Sequence, residues 1–280
     1  MSKGLLDPKV DFVFKNIFGS PNHPEILISF LNATLKAKKK IVNVDIKKTD
    51  IEKQYIEDKY SRLDVKATTS NDEIINIEIQ LKNENNMVKR SLYYLSKMYE
   101  EQLNEKEDYS KLVRTVCINI LNFKYLKTDN FHTGYRFKEI ESNEELTDIM
   151  EVHFIEIPKL QDSSDEKDML VAWTEFLKDP ESEKVRGLEL SIEEIRQAKD
   201  ELIRMSNDST QRELYDMRAN SLRDKMSELN AAERKGIEKG REEGRKEEKI
   251  EIARNMKLSG IDTNTIAKIT NLSEDEIDKL

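Results

Sequence analysis

Arg62-Leu63-Asp64-Val65-Lys66-Ala67, Thr68-Thr69-Ser70-Asn71-Asp72 and Ile74-Ile75-Asn76-Ile77-Glu78-Ile79-Gln80-Leu81 are two strand-forming runs separated by a turn-forming one. Asn71 lies midway between Asp64 and Glu78, so a hairpin centred on it sets the two acids opposite one another. Directly opposed residues of an antiparallel pair project from one face, with Cβ atoms about 4.5–5.5 Å apart. Two carboxylates held that close repel unless a divalent cation lies between them, and oxygen ligands of this kind suit Mg²⁺ or Mn²⁺.

The alternation supports the register. Ile75, Ile77, Ile79 and Leu81 form an apolar face that Leu63, Val65 and Ala67 join, while Asn76, Glu78 and Gln80 take the other face. A loop centred between Ser70 and Asn71 would instead put the acids on opposite faces. A strand with one polar face is also what ordinary solvation produces.

The chain resembles a known family at two places. Asp64, a short turn and then Glu78-Ile79-Gln80 look like a variant of the PD-(D/E)XK nuclease signature, with Gln80 in the usual lysine position. The opening Leu6-Asp7-Pro8-Lys9-Val10-Asp11-Phe12-Val13-Phe14-Lys15-Asn16-Ile17-Phe18-Gly19 resembles that of the recombination-promoting nuclease and transposase family within that superfamily. The resemblance covers roughly residues 4 to 160 and, more weakly, the charged tail.

It implies an α/β fold: a restriction-endonuclease-like mixed sheet flanked by helices, with a helical C-terminal extension. Asp64 and Glu78 would ligate the catalytic metal. Gln80 would orient the attacking water or touch the scissile phosphate. Asp11 resembles an outer acidic ligand. Glutamine lacks the charge of lysine, so a nearby cation is needed in compensation, with Lys66 and Lys82 as candidates. The expected activity is metal-dependent DNA endonuclease chemistry. The alternative is a DNA- or protein-binding module that keeps the fold without the chemistry.

Composition limits the other readings. The chain has 280 residues, 37% hydrophobic and 37% charged, with a net charge of −9. That balance counts against a general nucleic-acid binder, which carries a basic footprint, but not against a nuclease, which needs only a local basic rim. Lys36-Ala37-Lys38-Lys39-Lys40, Lys82, Lys89 and Arg90 are candidate phosphate contacts, although lysines also favour helix C-termini. No run approaches the ~20 apolar residues of a membrane helix, and no signal peptide opens the chain. Cys117 is the single cysteine, which excludes disulfides and Cys-based zinc sites and favours the cytoplasm. His23, His132 and His153 are scattered, without partners at ligand spacing, and His153 reads as structural.

Periodicity places helices over Phe12–Phe18, Pro24–Leu35 and Met87–Leu103. Strands are expected in Ile41–Ile51, Leu112–Leu121, Tyr135–Ile140 and Val152–Ile157. A helix over Asp165–Lys178 would dock on the sheet. Pro180-Glu181-Ser182-Glu183 marks the expected boundary between a nuclease domain (1–180) and a charged helical region (181–280). Ser191-Ile192-Glu193-Glu194 reads as a capping box. Gly236, Gly240 and Gly244 would form a bare ridge, suited either to a hinge or to weak self-association, and a homo-oligomer through the C-terminal helices is expected. Two short helices close the chain. Acidic Glu274, Asp275, Glu276 and Asp278 favour a packing or oligomerisation module there over a DNA-reading helix-turn-helix.

Overall fold

The computed structural model describes residues 4–36, 39–47, 65–165 and 167–280, so Asp64 and the segment before it lie outside the described residues. By their internal contacts the residues fall into two units, Met1–Ala219 and Asn220–Leu280.

The first unit holds a six-stranded sheet among the described residues, in the order β1-β2-β3-β4-β6-β5. Its strands are β1 (Val44–Lys47), β2 (Val65–Thr69), β3 (Ile74–Gln80), β4 (Thr115–Leu121), β5 (His132–Lys138) and β6 (Glu145–Glu156). The pairs β1–β2, β2–β3 and β5–β6 are antiparallel, whereas β3–β4 and β4–β6 are parallel. A parallel β3–β4 pair needs a crossover, and α3 (Met87–Glu100) lies in that connection. Every residue of β4 is buried, as a central strand covered on both faces requires.

The β2–β3 hairpin has the register centred on Asn71: Val65 pairs with Ile77, Lys66 with Asn76 and Ala67 with Ile75. Local chemistry fixes the turn. Asp72 takes a left-handed conformation (φ 61°), Thr69 N–H donates to the Glu73 carbonyl at 2.9 Å, and Asp72 N–H donates to the Thr69 carbonyl at 3.0 Å.

Helices cover both faces. On one, Met87 and Leu95 of α3 pack with Cys117, Leu121, Val152 and Phe154. The other layer comprises α1 (Asp11–Phe18), α2 (Pro24–Leu35), α4 (Met169–Lys178), α5 (Glu183–Glu189) and α6 (Glu193–Asn207). Phe18 is its hub, stacking on Phe14 at 4.6 Å and meeting Phe30 and Trp173 edge-on.

Several boundaries differ from expectation. The fourth helix begins at Met169, where Asp168 accepts from Leu170 N–H at 2.8 Å. Ser191 does not cap α6, whose N-cap is Ile192. Its hydroxyl instead donates to the Leu188 carbonyl at 3.2 Å, tying the preceding turn. β5 begins at His132, three residues before the expected Tyr135, because it pairs along a β6 that itself starts at Glu145.

The division at Ala219 also lies beyond the boundary expected at 180. α6 buries Ile195, Ala198, Leu202 and Met205, and Leu6 N–H donates to Ser206 Oγ at 3.0 Å. Fully burying each large apolar side chain is worth about 1.5–3 kcal/mol, so removing this helix costs much of a typical domain's ~5–15 kcal/mol. A chain ending at residue 180 is therefore expected to lose its cooperative thermal transition, while one ending at residue 219 retains it. Circular dichroism melts check this, and a full-length melting profile from the shorter chain would contradict it.

The second unit contains the C-terminal part of α7 (Ser209–Leu258), α8 (Thr263–Thr270) and α9 (Glu274–Asp278). Ala253, Ile266, Leu272 and Ile277 form its core. Asp262 caps α8, and Ser273 with Glu276 forms a capping box at α9. At Gly236, Gly240 and Gly244 an added Cβ would meet no atom within 4 Å. No helix among the described residues is long and apolar enough to cross a membrane.

Candidate active site

Strand alternation sets the site. Asn76, Glu78 and Gln80 of β3 lie beside Cys117, Asn119 and Leu121 of β4, on the sheet face that α3 covers. The polar face of β3 is thus not the solvated surface that its sequence pattern also permitted. Glu78 is only 1% exposed.

Among the described residues both carboxylate oxygens of Glu78 are buried without an aligned hydrogen bond, although the Asn76 and Arg90 side chains stand near enough to favour the ionised form. Arg90 Nε, from the first turns of α3, lies 3.3 Å from Oε2. It forms an ion pair but no aligned hydrogen bond, for Nε too is buried without a partner. Burying a charge without hydrogen bonds is expensive, and it disfavours the ionised form. Burial accordingly pushes the Glu78 carboxyl up to about 7, partly opposed by Arg90.

The neighbouring side chains are better satisfied. Ser91 Oγ donates to Asn119 Oδ1 at 2.9 Å, and Asn119 Nδ2 donates to the His153 carbonyl at 3.1 Å. Asn76 Oδ1 is a further buried acceptor without a partner. Cys117 is a buried strand residue, its thiol pushed up to about 12 by burial and by the nearby Glu78 charge. Glu78 is the unfinished group of this buried cluster, and such a carboxylate is the donor a divalent cation uses.

The sequence candidates are distributed unevenly. Gln80 stands two residues beyond Glu78 on the same face, half-buried, with its carbonyl accepting from Asn122 N–H at 2.9 Å. Asp64, the residue before Val65, lies outside the described residues. Asp11 opens α1, where Oδ1 accepts from Phe12 N–H and Oδ2 from Arg218 Nη1 at 3.2 Å, rather than joining Glu78. Lys66 lies 3.9 Å from Glu101, and Lys36 pairs with Asp168 at 3.1 Å. Among the described residues no group of three or more His, Cys, Asp or Glu side chains is arranged to hold a metal ion.

The sequence missed a second polar cluster on the opposite face. His132 Nε2 lies 2.9 Å from His153 Nδ1, and the rings stack at 5.1 Å, so these histidines are not scattered. His153 Nε2 meets Glu151 Oε1 at 2.6 Å, and Glu151 also takes bonds from Arg114 and Arg136. Gly134 makes room for this, since a Cβ there would stand 3.0 Å from His153 Cε1. Only the β5–β6 register juxtaposes these residues, and no short motif announces it.

Two family models match the sequence. One, described as PD-(D/E)XK nuclease family transposase, covers residues 8–232. The other, described as Rpn/YhgA-like nuclease family, C-terminal HTH domain, covers residues 246–280. No curated protein and no solved structure matches the chain. The second match makes the region that includes α8 and α9 similar to a helix-turn-helix domain, the reading that the acidic residues had disfavoured against a packing or oligomerisation module. Its acidic α9 explains why the charge pattern pointed elsewhere.

Proposed function

The chain belongs to the PD-(D/E)XK nuclease family transposase group, and on that membership and the buried Glu78 carboxylate we propose that it is a divalent-metal-dependent DNA endonuclease. The mixed sheet flanked by helices is the restriction-endonuclease-like core of that family. The observation that carries the reading is the pair of buried, unpartnered oxygens on Glu78.

Asp64, expected from the sequence to oppose Glu78, lies outside the described residues. These two carboxylates would hold Mg²⁺ or Mn²⁺. Such a cation supplies a lowered pKa for its water and neutralises charge developing on the phosphate. Glu78 must be ionised to serve, so its burial couples binding to proton release. Gln80 presents an uncharged amide on the same face, able to position water or a phosphate oxygen but not to balance charge. Asp11, engaged by Arg218, takes at most an outer role.

The biological reading is DNA recombination or mobile-element and defence processes, supported by the family description. The single buried Cys117 suits the cytoplasm. The open glycine ridge of α7 supports self-association of the tail, which would bring two active sites to opposite strands.

Nicking of supercoiled plasmid with Mg²⁺ or Mn²⁺, against EDTA, tests the proposal. Cleavage that persists in EDTA would contradict the metal dependence, and none with either metal would return the reading to a binding module. Gln80→Ala is expected to slow turnover about 10- to 100-fold through lost positioning while leaving metal binding intact. Gln80→Lys restores the commoner motif and should retain or raise the rate. Calorimetry showing that Gln80→Ala no longer binds metal would contradict the role.

A further inference from the structure

We infer that Arg90 is the substrate-phosphate cation of this site, supplying from α3 the positive charge that Gln80 leaves out of the Glu-x-Gln motif. The inference rests on the nuclease reading and adds a residue to it.

The usual motif places a lysine on the strand, two residues after the glutamate. Here that position carries a neutral amide. Arg90 reaches Glu78 from the neighbouring helix, with Nε 3.3 Å from Oε2. Its guanidinium carbon lies over the Tyr94 ring, 5.4 Å from the centroid, one helical turn further along α3. The side chain keeps 22% exposure while Glu78 has 1%, so it spans from the buried carboxylate toward the surface.

The contact with Glu78 is poorly made. Neither carboxylate oxygen nor Nε finds a hydrogen bond in it. A contact so poorly aligned is readily given up. A divalent cation on Glu78 would cancel the attraction that holds Arg90 there and would repel it. The planar fork of a guanidinium matches two phosphate oxygens, which an ammonium engages only as a point charge. Tyr94 offers a face on which the displaced guanidinium can stay stacked. Lys66 is a weaker candidate because Glu101 lies 3.9 Å from its ammonium group.

The test compares wild type with Arg90→Gln and Arg90→Lys in full-length protein, each checked by thermal melt. Affinity for a short DNA duplex is measured by fluorescence anisotropy in Ca²⁺ over a range of salt. Mn²⁺ binding is measured by calorimetry, and plasmid nicking is followed in Mg²⁺. One lost phosphate contact should lower the slope of log affinity against log salt by about 1 in Arg90→Gln. Nicking should fall about 100-fold, the scale of losing one charge-stabilising donor. Mn²⁺ affinity should hold or rise, because a competing cation is gone. Arg90→Lys should keep the salt slope and recover only part of the turnover.

Wild-type slope and nicking in Arg90→Gln would overturn the inference and leave Arg90 a counter-ion. Loss of Mn²⁺ binding in Arg90→Gln, or absence of duplex binding by wild type, would overturn it too. If Arg90→Gln does not fold, full turnover in Arg90→Lys would overturn it and reduced turnover at unchanged slope would support it. Absence of nicking by wild type would defeat the nuclease reading, and the salt slope would still decide the fate of Arg90.

Discussion

Glu78→Gln is expected to lower metal-dependent plasmid nicking by at least about 1,000-fold, in line with removing a group that positions the metal's charge at the reacting phosphate. Asp64→Ala should match it. The fold should survive, because the near-isosteric amide fills the same space and removes the cost of burying a charge. Wild-type nicking in either variant would remove that residue from the site.

The same variant carries a pH signature. The Glu78 carboxyl sits at about 7 when folded, against an ordinary 4.5. Between those values the folded protein binds more protons than the unfolded chain, so metal-free wild type loses stability as pH rises through this window. The loss amounts to about 3 kcal/mol, or on the order of 10 °C in melting temperature for a unit of this size. Glu78→Gln has no titrating group there and should lack this component. Melts at pH 5 and pH 8 in EDTA should therefore show a larger fall for wild type than for the variant. Equal falls would contradict a buried carboxylate whose burial outweighs the Arg90 charge.

Arg114→Ala should be the most damaging single change away from the site. Arg114 joins Glu73 and Glu151, which are 7% and 3% exposed. Removing one partner of a buried ion pair costs about 3–5 kcal/mol by leaving charge uncompensated. The lower end applies here, since Thr69 still donates to Glu73 and Arg136 and His153 still bond Glu151. The expected fall in melting temperature is again on the order of 10 °C. Burial alone would raise the Glu151 carboxyl, but bonds from His153, Arg114 and Arg136 outweigh it and hold it at about 2. That stabilisation is present above the ordinary 4.5 and lost as pH falls toward 2, so Arg114→Ala should flatten the acid limb. Adding Glu151→Gln should recover part of the loss at neutral pH. A melting temperature within a degree or two of wild type would show the network to be dispensable.

Local rules made part of this legible. The β2–β3 register followed from a turn centred on Asn71 and from the isoleucine alternation, both contained in one short segment. Pro24–Leu35 was found end to end because Pro24 opens a clean apolar stripe and the chain turns left-handed at Lys36. What the segment concealed was depth. Asn76-Ile77-Glu78-Ile79-Gln80 has the alternation of a half-solvated strand, yet α3 closes over its polar side and makes Glu78 an internal charge. The Arg90 contact was hidden for the same reason, since nothing local aligns the start of α3 with the middle of β3. The His132–His153–Glu151 cluster depends on pairing across a hairpin with two register irregularities. At the C-terminus the two closing helices were readable, but the acidic residues of the second weighed against the helix-turn-helix likeness.

Calorimetric titration of Mn²⁺ into metal-free protein near pH 7, wild type beside Glu78→Gln, tests the central claim most directly. With Glu78 as a ligand poised at about 7, wild type should bind Mn²⁺ and release protons, so the observed heat should change with the ionisation enthalpy of the buffer. Glu78→Gln should show neither the binding nor the buffer dependence. Equal Mn²⁺ binding by both proteins, or none by wild type, would contradict the assignment of Glu78 as the metal-holding carboxylate.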